Sequence, residues 1–211
     1  MARKKVYVSS TFKDLEEHRS AVKATLERAG FDVDCMEKYP AFDERPTDKC
    51  LADVAECDYY VLILAWRYGF QPEDDNPRRL SITHLEYEEA ARLKKPCLPF
   101  LLDADAPWKR AFQDPDSHSP DSAICRFRDH VEKRHGRSFY TTPDSLARAI
   151  HEALRAQEHK HPTYGEKAKA QIREGYLAWL RGSCESVELL GLDLKDSQNV
   201  RLGQVYVPAV T

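Results

Sequence analysis

The sequence predicts a doubly wound α/β domain, in which a parallel sheet carries helices on both faces. Short apolar runs typical of buried strands alternate with helical patterns from residue 6 to residue 157, and this alternation favours parallel strand pairing. The run 59–65 is apolar throughout, as expected for a central strand that is covered on both faces. We therefore expect about five strands in the flavodoxin-like order 2-1-3-4-5.

The first half of the domain is predicted to contain three strands and two helices. The strands are expected at residues 6–8, 31–35 and 59–65. After the first strand, apolar residues recur at helical spacing from Leu15 to Ala29, and Gly30 is suited to end that helix. Prolines mark the loop before the second helix, for which Thr47 is a candidate N-cap.

The second half is predicted to contain two strands and three helices. Strands are expected at 97–102 and 137–140, and helices at 83–93, 122–135 and 143–157. A polar loop, 71–80, precedes the first of these helices, and a longer loop, 103–120, is expected to hold one helical turn around Trp108. The residues expected to face inward from the helix at 83–93 are Ile82, Leu85, Ala90 and Leu93.

The chain is predicted to have two parts, an α/β domain over residues 1–160 and a helical connector over 161–211. The segment 163–181 has apolar residues at helical spacing, and the chain from residue 182 onwards is expected to be irregular. It ends on the apolar run 205–208. A connector without a core of its own suggests that another domain follows in a longer protein.

Charge and cysteine content restrict the functions open to this chain. The net charge is only −3, and acidic and basic residues are mixed along the sequence, so we expect neither a nucleic-acid nor a membrane partner. The six cysteines include no CxxC pair, which argues for a reducing, cytoplasmic location and against a metal site. The N-terminus lacks the apolar segment of a signal peptide.

A candidate site follows from the topology. Ligands of open parallel sheets bind at the carboxyl ends of the strands, where the strand order reverses. Here that point lies between the first and third strands, so the loops 9–13 and 66–82 should meet there. The residues expected to converge on this crevice are Ser9, Ser10, Thr11, Trp66, Arg67, Tyr68, Ser81 and Glu86.

Several of these residues have a structural alternative. The hydroxyls of Ser9, Ser10 and Thr11 could cap the first helix or contact a phosphate or ribose. Arg67 between two aromatic residues could clamp an anion or stack on a base, or the segment could be a turn with a hydrophobic plug. No GxGxxG or P-loop motif is present.

Glu86 also has two interpretations. It lies three residues after Thr83, the spacing of a capping box, and it also lies at the predicted crevice as a possible catalytic carboxylate.

On the helix at 122–135, His130 and His135 are accompanied by several basic residues, which predicts a solvated basic face rather than a metal site. The basic residues of this face are Arg126, Arg128, Lys133 and Arg134.

Four segments together resemble a known family. The segments 6–19, 58–64, 66–69 and 81–87 are similar to a domain of unknown function, DUF4062, found in bacteria and animals, and the match covers about residues 4–103. By this resemblance the domain would lie N-terminal to a NACHT-type or related STAND P-loop NTPase in the same full-length chain. Residues 176–208 look like the leader of such an NTPase.

The resemblance also implies an activity. The family is similar in fold to TIR domains and to nucleoside deoxyribosyltransferases, and many TIR domains cleave the nicotinamide–ribose bond of NAD with one glutamate. Glu86 matches that position, so NAD would be a substrate and no cofactor is implied. Three hypotheses follow: an NAD-hydrolysing effector of an antiphage immune protein, a non-catalytic module that self-associates on activation, and a nucleotide-ligand sensor.

Overall fold

The computed structural model describes residues 3–35, 46–136, 138–160, 173–178, 186–187 and 200–201. The chain divides into two compact units, Met1–Gln157 and Glu158–Thr211. The first unit contains a parallel sheet flanked by helices, which confirms the predicted fold class.

The sheet of the first unit has five strands, all parallel, in the order β2-β1-β3-β4-β5. The strands are β1 (Lys5–Ser9), β2 (Asp32–Asp34), β3 (Tyr59–Leu64), β4 (Cys97–Leu102) and β5 (Phe139–Tyr140). All six residues of β3 are buried, as predicted for a central strand. Ser9, the last residue of β1, pairs with Leu62 of β3, so the polar loop after β1 begins beside the end of β3.

Five helices cover the two faces of the sheet. They are α1 (Glu16–Arg28), α2 (Pro46–Glu56), α3 (Ile82–Arg92), α4 (Ala123–Arg134) and α5 (Pro143–Lys160). A turn of 3₁₀ helix, Arg110–Phe112, lies next to Trp108 in the loop after β4, where a helical turn was predicted. Among the described residues, no helix is long and apolar enough to span a bilayer.

The core has two halves, one on each face of the sheet. On one face, apolar residues of α1 and α5 pack against alternate residues of β1 and β3; those of the helices are Leu15, Val22, Leu26, Leu146, Ile150 and Leu154. On the other face, α2, α3 and α4 supply Val54, Tyr87, Ala90, Ile124, Phe127 and Val131. Because β1 and β3 alternate their side chains between these halves, both strands are packed on each face of the sheet.

Two details of the helices differ from the predictions. Thr47 does not precede α2 but lies within it, because Pro46 occupies the first turn, where its missing N–H is not needed. The inward face of α3 consists of Thr83, Glu86, Tyr87 and Ala90, whereas Leu85 and Leu93 are only partly buried. Hydropathy pointed to the leucines because it could not anticipate the hydrogen-bond donors that allow a glutamate to be buried.

The second unit has one short helix and one pair of strands within the described residues. Residues 173–178 are helical, inside the predicted connector helix, and Tyr176 on it is exposed. The strands β6 (Ser186–Val187) and β7 (Val200–Arg201) pair antiparallel, so the prediction of an irregular chain after residue 182 is wrong there. Two further apolar residues of the predicted connector helix, Ile172 and Trp179, lie outside the described residues.

Candidate functional site

A cleft of about 480 Å³ opens at the carboxyl ends of β1 and β3, where the topology placed a ligand site. Its walls come from the loop after β1, the loop after β3, the first turn of α3 and the loop after β4. Its polar and charged lining includes Ser10, Thr11, Lys13, Asp14, Arg67 and Asp114. Volume and lining are typical of a small-molecule site.

Three of the eight predicted residues line this cleft: Ser10, Thr11 and Arg67. The alternative role of the hydroxyls as helix caps is wrong, because α1 begins with Leu15 as N-cap and without a side-chain capping bond. The Ser10 hydroxyl instead accepts a hydrogen bond from Nη1 of the buried Arg19, at 2.5 Å, and donates to the Thr11 carbonyl oxygen. The cleft wall is therefore held from behind by a guanidinium.

Glu86 lies behind the cleft rather than in its wall. Its side chain is 2% exposed. Oε1 accepts a hydrogen bond of 2.8 Å from the Tyr7 hydroxyl, and Oε2 accepts a short one from the Ser9 hydroxyl. Ser10, which follows Ser9, and Thr83, which lies one turn before Glu86, both line the cleft. Two residues close to the buried carboxylate therefore reach the cleft.

Burial raises the pKa of Glu86 above its ordinary value. The hydroxyls of Ser9 and Tyr7, the Cys50 thiol and the charge of Arg19 all act in the opposite direction, because each favours the ionised carboxylate. Functional sites often contain a carboxyl whose pKa is raised by burial and lowered by several hydrogen-bond donors.

The capping-box interpretation of Glu86 is wrong. The N-cap of α3 is Ser81, whose hydroxyl accepts a hydrogen bond of 3.3 Å from the backbone N–H of His84. Ser81 is fully buried, and it contributes to the site by fixing where α3 begins. Glu86 therefore lies in the second turn of α3, with its carboxylate pointing toward β1.

Trp66 and Tyr68 flank Arg67 in sequence but do not line the cleft. The ring of Trp66 packs under the guanidinium of Arg128, with 4.2 Å from Cζ to the ring centroid. The Tyr68 hydroxyl is 2.9 Å from Nδ1 of His84, and the Tyr68 ring packs on Phe127. Trp66 and Tyr68 were expected at the crevice, but both are buried in the core, which agrees with the alternative of a turn with a hydrophobic plug.

The predicted basic face of α4 has one exception. Arg126, Lys133 and Arg134 are exposed as expected, whereas Arg128 is only 5% exposed. Its guanidinium donates to the carbonyl oxygens of Leu64 and Ala65, at 3.3 and 3.2 Å, and of Leu102, at 2.7 Å. Arg128 thus binds the ends of β3 and β4, and the Tyr140 hydroxyl also donates to the Leu64 carbonyl oxygen, at 3.4 Å.

The family described as a domain of unknown function, DUF4062, matches residues 5–155. The chain belongs to the DUF4062 family. No match in sequence is found among curated proteins.

One solved structure is also similar to this chain. It is that of a CMP N-glycosidase, BcmB, of Clostridium botulinum, with a TM-score of 0.44 and 14% sequence identity, covering 71% of this chain and 99% of that one. Nothing about the reaction of the DUF4062 domain follows from a likeness at this level.

Two acidic residues of the cleft were not predicted. Asp14 is 4% exposed and lies just before α1. Asp114, in the loop after β4, accepts a hydrogen bond of 2.7 Å from the backbone N–H of Tyr68, and its own N–H donates to the Trp66 carbonyl oxygen at 3.0 Å. The sequence carries a weak signal for Asp14, in the cap-like segment 11–14. It carries none for Asp114, which lies in an irregular loop.

Gly69 gives the cleft its shape, and we expect Gly69→Ala to damage both stability and ligand binding. Its φ is +96°, and a Cβ there would lie 3.1 Å from Cγ2 of Thr11. Gly30→Ala is the matched control, because its φ is +90° with nothing within 4 Å. Backbone strain should make each variant about 1–2 kcal/mol less stable. Urea unfolding with ligand titration would test this, and equal ligand binding by both variants would contradict it.

Proposed function

We propose that the DUF4062 domain binds a nucleotide in this cleft and hydrolyses the nicotinamide–ribose bond of NAD. The observation that carries the proposal is the arrangement at the ends of β1 and β3. There a cleft lined by Arg67, Lys13 and hydroxyls lies directly in front of a buried carboxylate, Glu86. The resemblance of the residues around Glu86 to TIR domains supports the choice of NAD.

The binding step follows from charge and hydrogen-bonding groups. Arg67 and Lys13 supply positive charge for the pyrophosphate of NAD, and the Thr11 hydroxyl adds a neutral donor. The first turn of α3 also borders the cleft through Ile82 and Thr83. The N–H groups at the start of a helix favour an anion.

The chemical step is the loss of nicotinamide. The bond between the ribose C1′ and the nicotinamide nitrogen breaks, its electron pair leaves with the ring, and an oxocarbenium-like state develops on the ribose. Water adds to C1′ and releases a proton, which gives ADP-ribose. The ionised carboxylate of Glu86 would stabilise the positive charge on the ribose.

Glu86 has to become accessible for this step. In the described structure, Ser9 and Tyr7 occupy its two oxygens. We propose that a change at the Ser9–Ser10 segment, brought about when copies of the domain assemble, exposes the carboxylate to the ribose. Hydrolysis is accordingly expected from clustered protein rather than from dilute protein.

A second candidate function is a non-catalytic nucleotide sensor. The observation that favours it is the same burial of Glu86, because a carboxylate whose two oxygens both accept hydrogen bonds can serve as a structural link between β1 and α3. A sensor would bind NAD in the cleft without releasing nicotinamide.

The biological setting is also a proposal. We propose that the domain is the N-terminal effector of a NACHT- or STAND-type immune protein, in the cytoplasm, and that oligomerisation of its NTPase clusters the domain by self-association. The support for this setting is the resemblance of residues 4–103 and 176–208.

Calorimetric titration of NAD tests the binding step. Arg67→Ala should weaken binding about ten- to a hundredfold, because a hydrogen bond to a charged group contributes about 1.5–3 kcal/mol. Arg92→Ala is the matched control, since Arg92 is exposed at the far end of α3 and pairs with Glu89. Unchanged affinity in Arg67→Ala, or an equal loss in both variants, would show that NAD does not bind in this cleft.

A further inference from the structure

A second cavity, of about 270 Å³, adjoins the cleft. We call it the Trp108 cavity. It lies between the start of α1 and the loops that follow β4 and β5, and its apolar wall consists of Pro107, Trp108 and Phe112. Lys13 and Asp14 line both the cleft and this cavity. The two spaces therefore share a wall, and one ligand could occupy both.

Two buried polar groups in this region have no hydrogen-bond partner among the described residues. They are the carboxylate of Asp14, 4% exposed, and Nε2 of His18, 7% exposed. Both residues line the Trp108 cavity, and Asp14 also lines the cleft. Burial raises the pKa of Asp14, and the nearby Thr11 hydroxyl acts in the opposite direction, although neither carboxylate oxygen accepts a regular hydrogen bond. Unpaired buried groups are rare in native proteins and call for an explanation.

Trp108 is fixed as the wall of the cavity. Its indole Nε1 donates to the Phe112 carbonyl oxygen at 3.2 Å, and its own carbonyl oxygen accepts from the Gln113 side chain at 3.3 Å. The rings of Trp108 and His18 are in tilted contact, with 5.3 Å between their centroids and 58° between their planes. The fixed indole supplies an aromatic surface for a flat ring, and the imidazole packed beside it supplies a polar atom at the edge of that surface.

We propose that the Trp108 cavity binds the aromatic base of a nucleotide whose phosphates lie in the cleft, with Asp14 accepting hydrogen bonds from the ribose hydroxyls between them. This inference rests on the proposed binding of a nucleotide in the cleft and adds where its base lies. A volume of about 270 Å³ suits one base and is too small for a whole dinucleotide. A sugar diol would supply the donors that Asp14 lacks, and the edge of a base would meet Nε2 of His18.

Two probes separate the cleft from the Trp108 cavity. Inorganic pyrophosphate has only the charges that suit Arg67, whereas adenosine monophosphate has a base and a ribose as well. In calorimetric titrations, Trp108→Ala should bind the monophosphate at least tenfold more weakly and pyrophosphate as the wild type does. Phe139→Ala is the matched control: Phe139 lines neither the cleft nor the cavity and is 43% exposed. It should leave binding of the monophosphate nearly unchanged.

Asp14→Asn should change the binding of the two probes in opposite directions. Removing the negative charge beside Arg67 should strengthen pyrophosphate binding, while losing the charged acceptor should weaken binding of the monophosphate severalfold. A merely structural role for Asp14 would change binding of both probes in the same direction.

A measurement on the wild type guards against misfolded variants. The indole N–H resonance of Trp108, assigned with Trp108→Phe, should shift in nitrogen-correlated NMR spectra when adenosine monophosphate is added and stay in place with pyrophosphate. Unchanged monophosphate binding in Trp108→Ala, together with Arg67-dependent pyrophosphate binding, would overturn the cavity assignment and leave the cleft intact. Trp108-dependent binding of the monophosphate without any pyrophosphate binding would instead overturn the cleft. If neither probe binds the wild type, both proposals are wrong.

Discussion

Glu86→Gln is expected to lower nicotinamide release from NAD about a thousandfold or more, since the loss of a carboxylate that stabilises transition-state charge removes several kcal/mol. The fold should persist, because glutamine keeps the size of the side chain and an oxygen that accepts from Tyr7 or Ser9. Wild type and variant should be compared after artificial clustering, with nicotinamide measured by chromatography. Glu88→Gln is the matched control: Glu88 lies two residues away on α3 and pairs with Arg78 near the surface.

The raised pKa of Glu86 gives the same comparison a pH dependence. Burial, the largest cause, favours the protonated carboxyl in the folded protein. Above the ordinary pKa of glutamate the folded state therefore binds more protons than the unfolded state, so this group's contribution to stability falls as pH rises through the raised pKa. Between the ordinary and the raised pKa, wild type should lose stability relative to Glu86→Gln as the pH rises. Nicotinamide release should increase over the same pH range, because the ionised carboxylate is needed.

Two outcomes would contradict the role of Glu86 in catalysis. One is equal nicotinamide release by wild type and Glu86→Gln. The other is NAD binding by clustered wild type without any release. The second outcome would favour the sensor hypothesis, in which Glu86 links α3 to β1.

Arg128→Met should lower the free energy of unfolding by about 3–5 kcal/mol, because each buried carbonyl oxygen left without a donor costs about 1–3 kcal/mol. The carbonyl oxygens of Ala65 and Leu102 would lose the guanidinium as donor, and that of Leu64 would keep only the Tyr140 hydroxyl. Trp66 would lose the guanidinium over its ring. Methionine keeps much of the side-chain volume, so the loss would report mainly on the polar contacts. Urea unfolding monitored by circular dichroism would measure it.

The control for Arg128 lies on the same helix. Arg126→Met removes an exposed arginine two residues earlier, and such a surface change should alter stability by less than about 0.5 kcal/mol. A similar loss in both variants would mean that α4 simply needs arginine charge. A negligible loss in Arg128→Met would mean that water can replace the guanidinium at the strand ends.

The fold was readable from the sequence because burial leaves a direct pattern. β3 is covered on both faces and is therefore apolar at every position, and the alternation of strands with helices then restricts the topology to a few arrangements. Topology also predicted which loops meet, which is why Ser10, Thr11 and Arg67 line the cleft as expected.

The orientation of side chains was not readable in the same way. Glu86 faces the core because Tyr7 and Ser9, nearly eighty residues earlier, donate to it, and no local pattern announces such partners. Trp66 was expected at the ligand and instead packs under Arg128, itself expected in solvent. Asp114 lies in an irregular loop that only tertiary contacts position. Polar groups that are satisfied at long range are what sequence patterns reveal least.

If the cleft at the ends of β1 and β3 is a nucleotide site, NAD should occupy it. A crystal structure of the Glu86→Gln variant with NAD tests this most directly, because the substitution should prevent turnover. We expect the pyrophosphate to lie beside Arg67 and Thr11, with a ribose next to Asp14. NAD bound elsewhere on the domain, or an empty cleft in crystals soaked at a concentration that saturates the protein in solution, would contradict it.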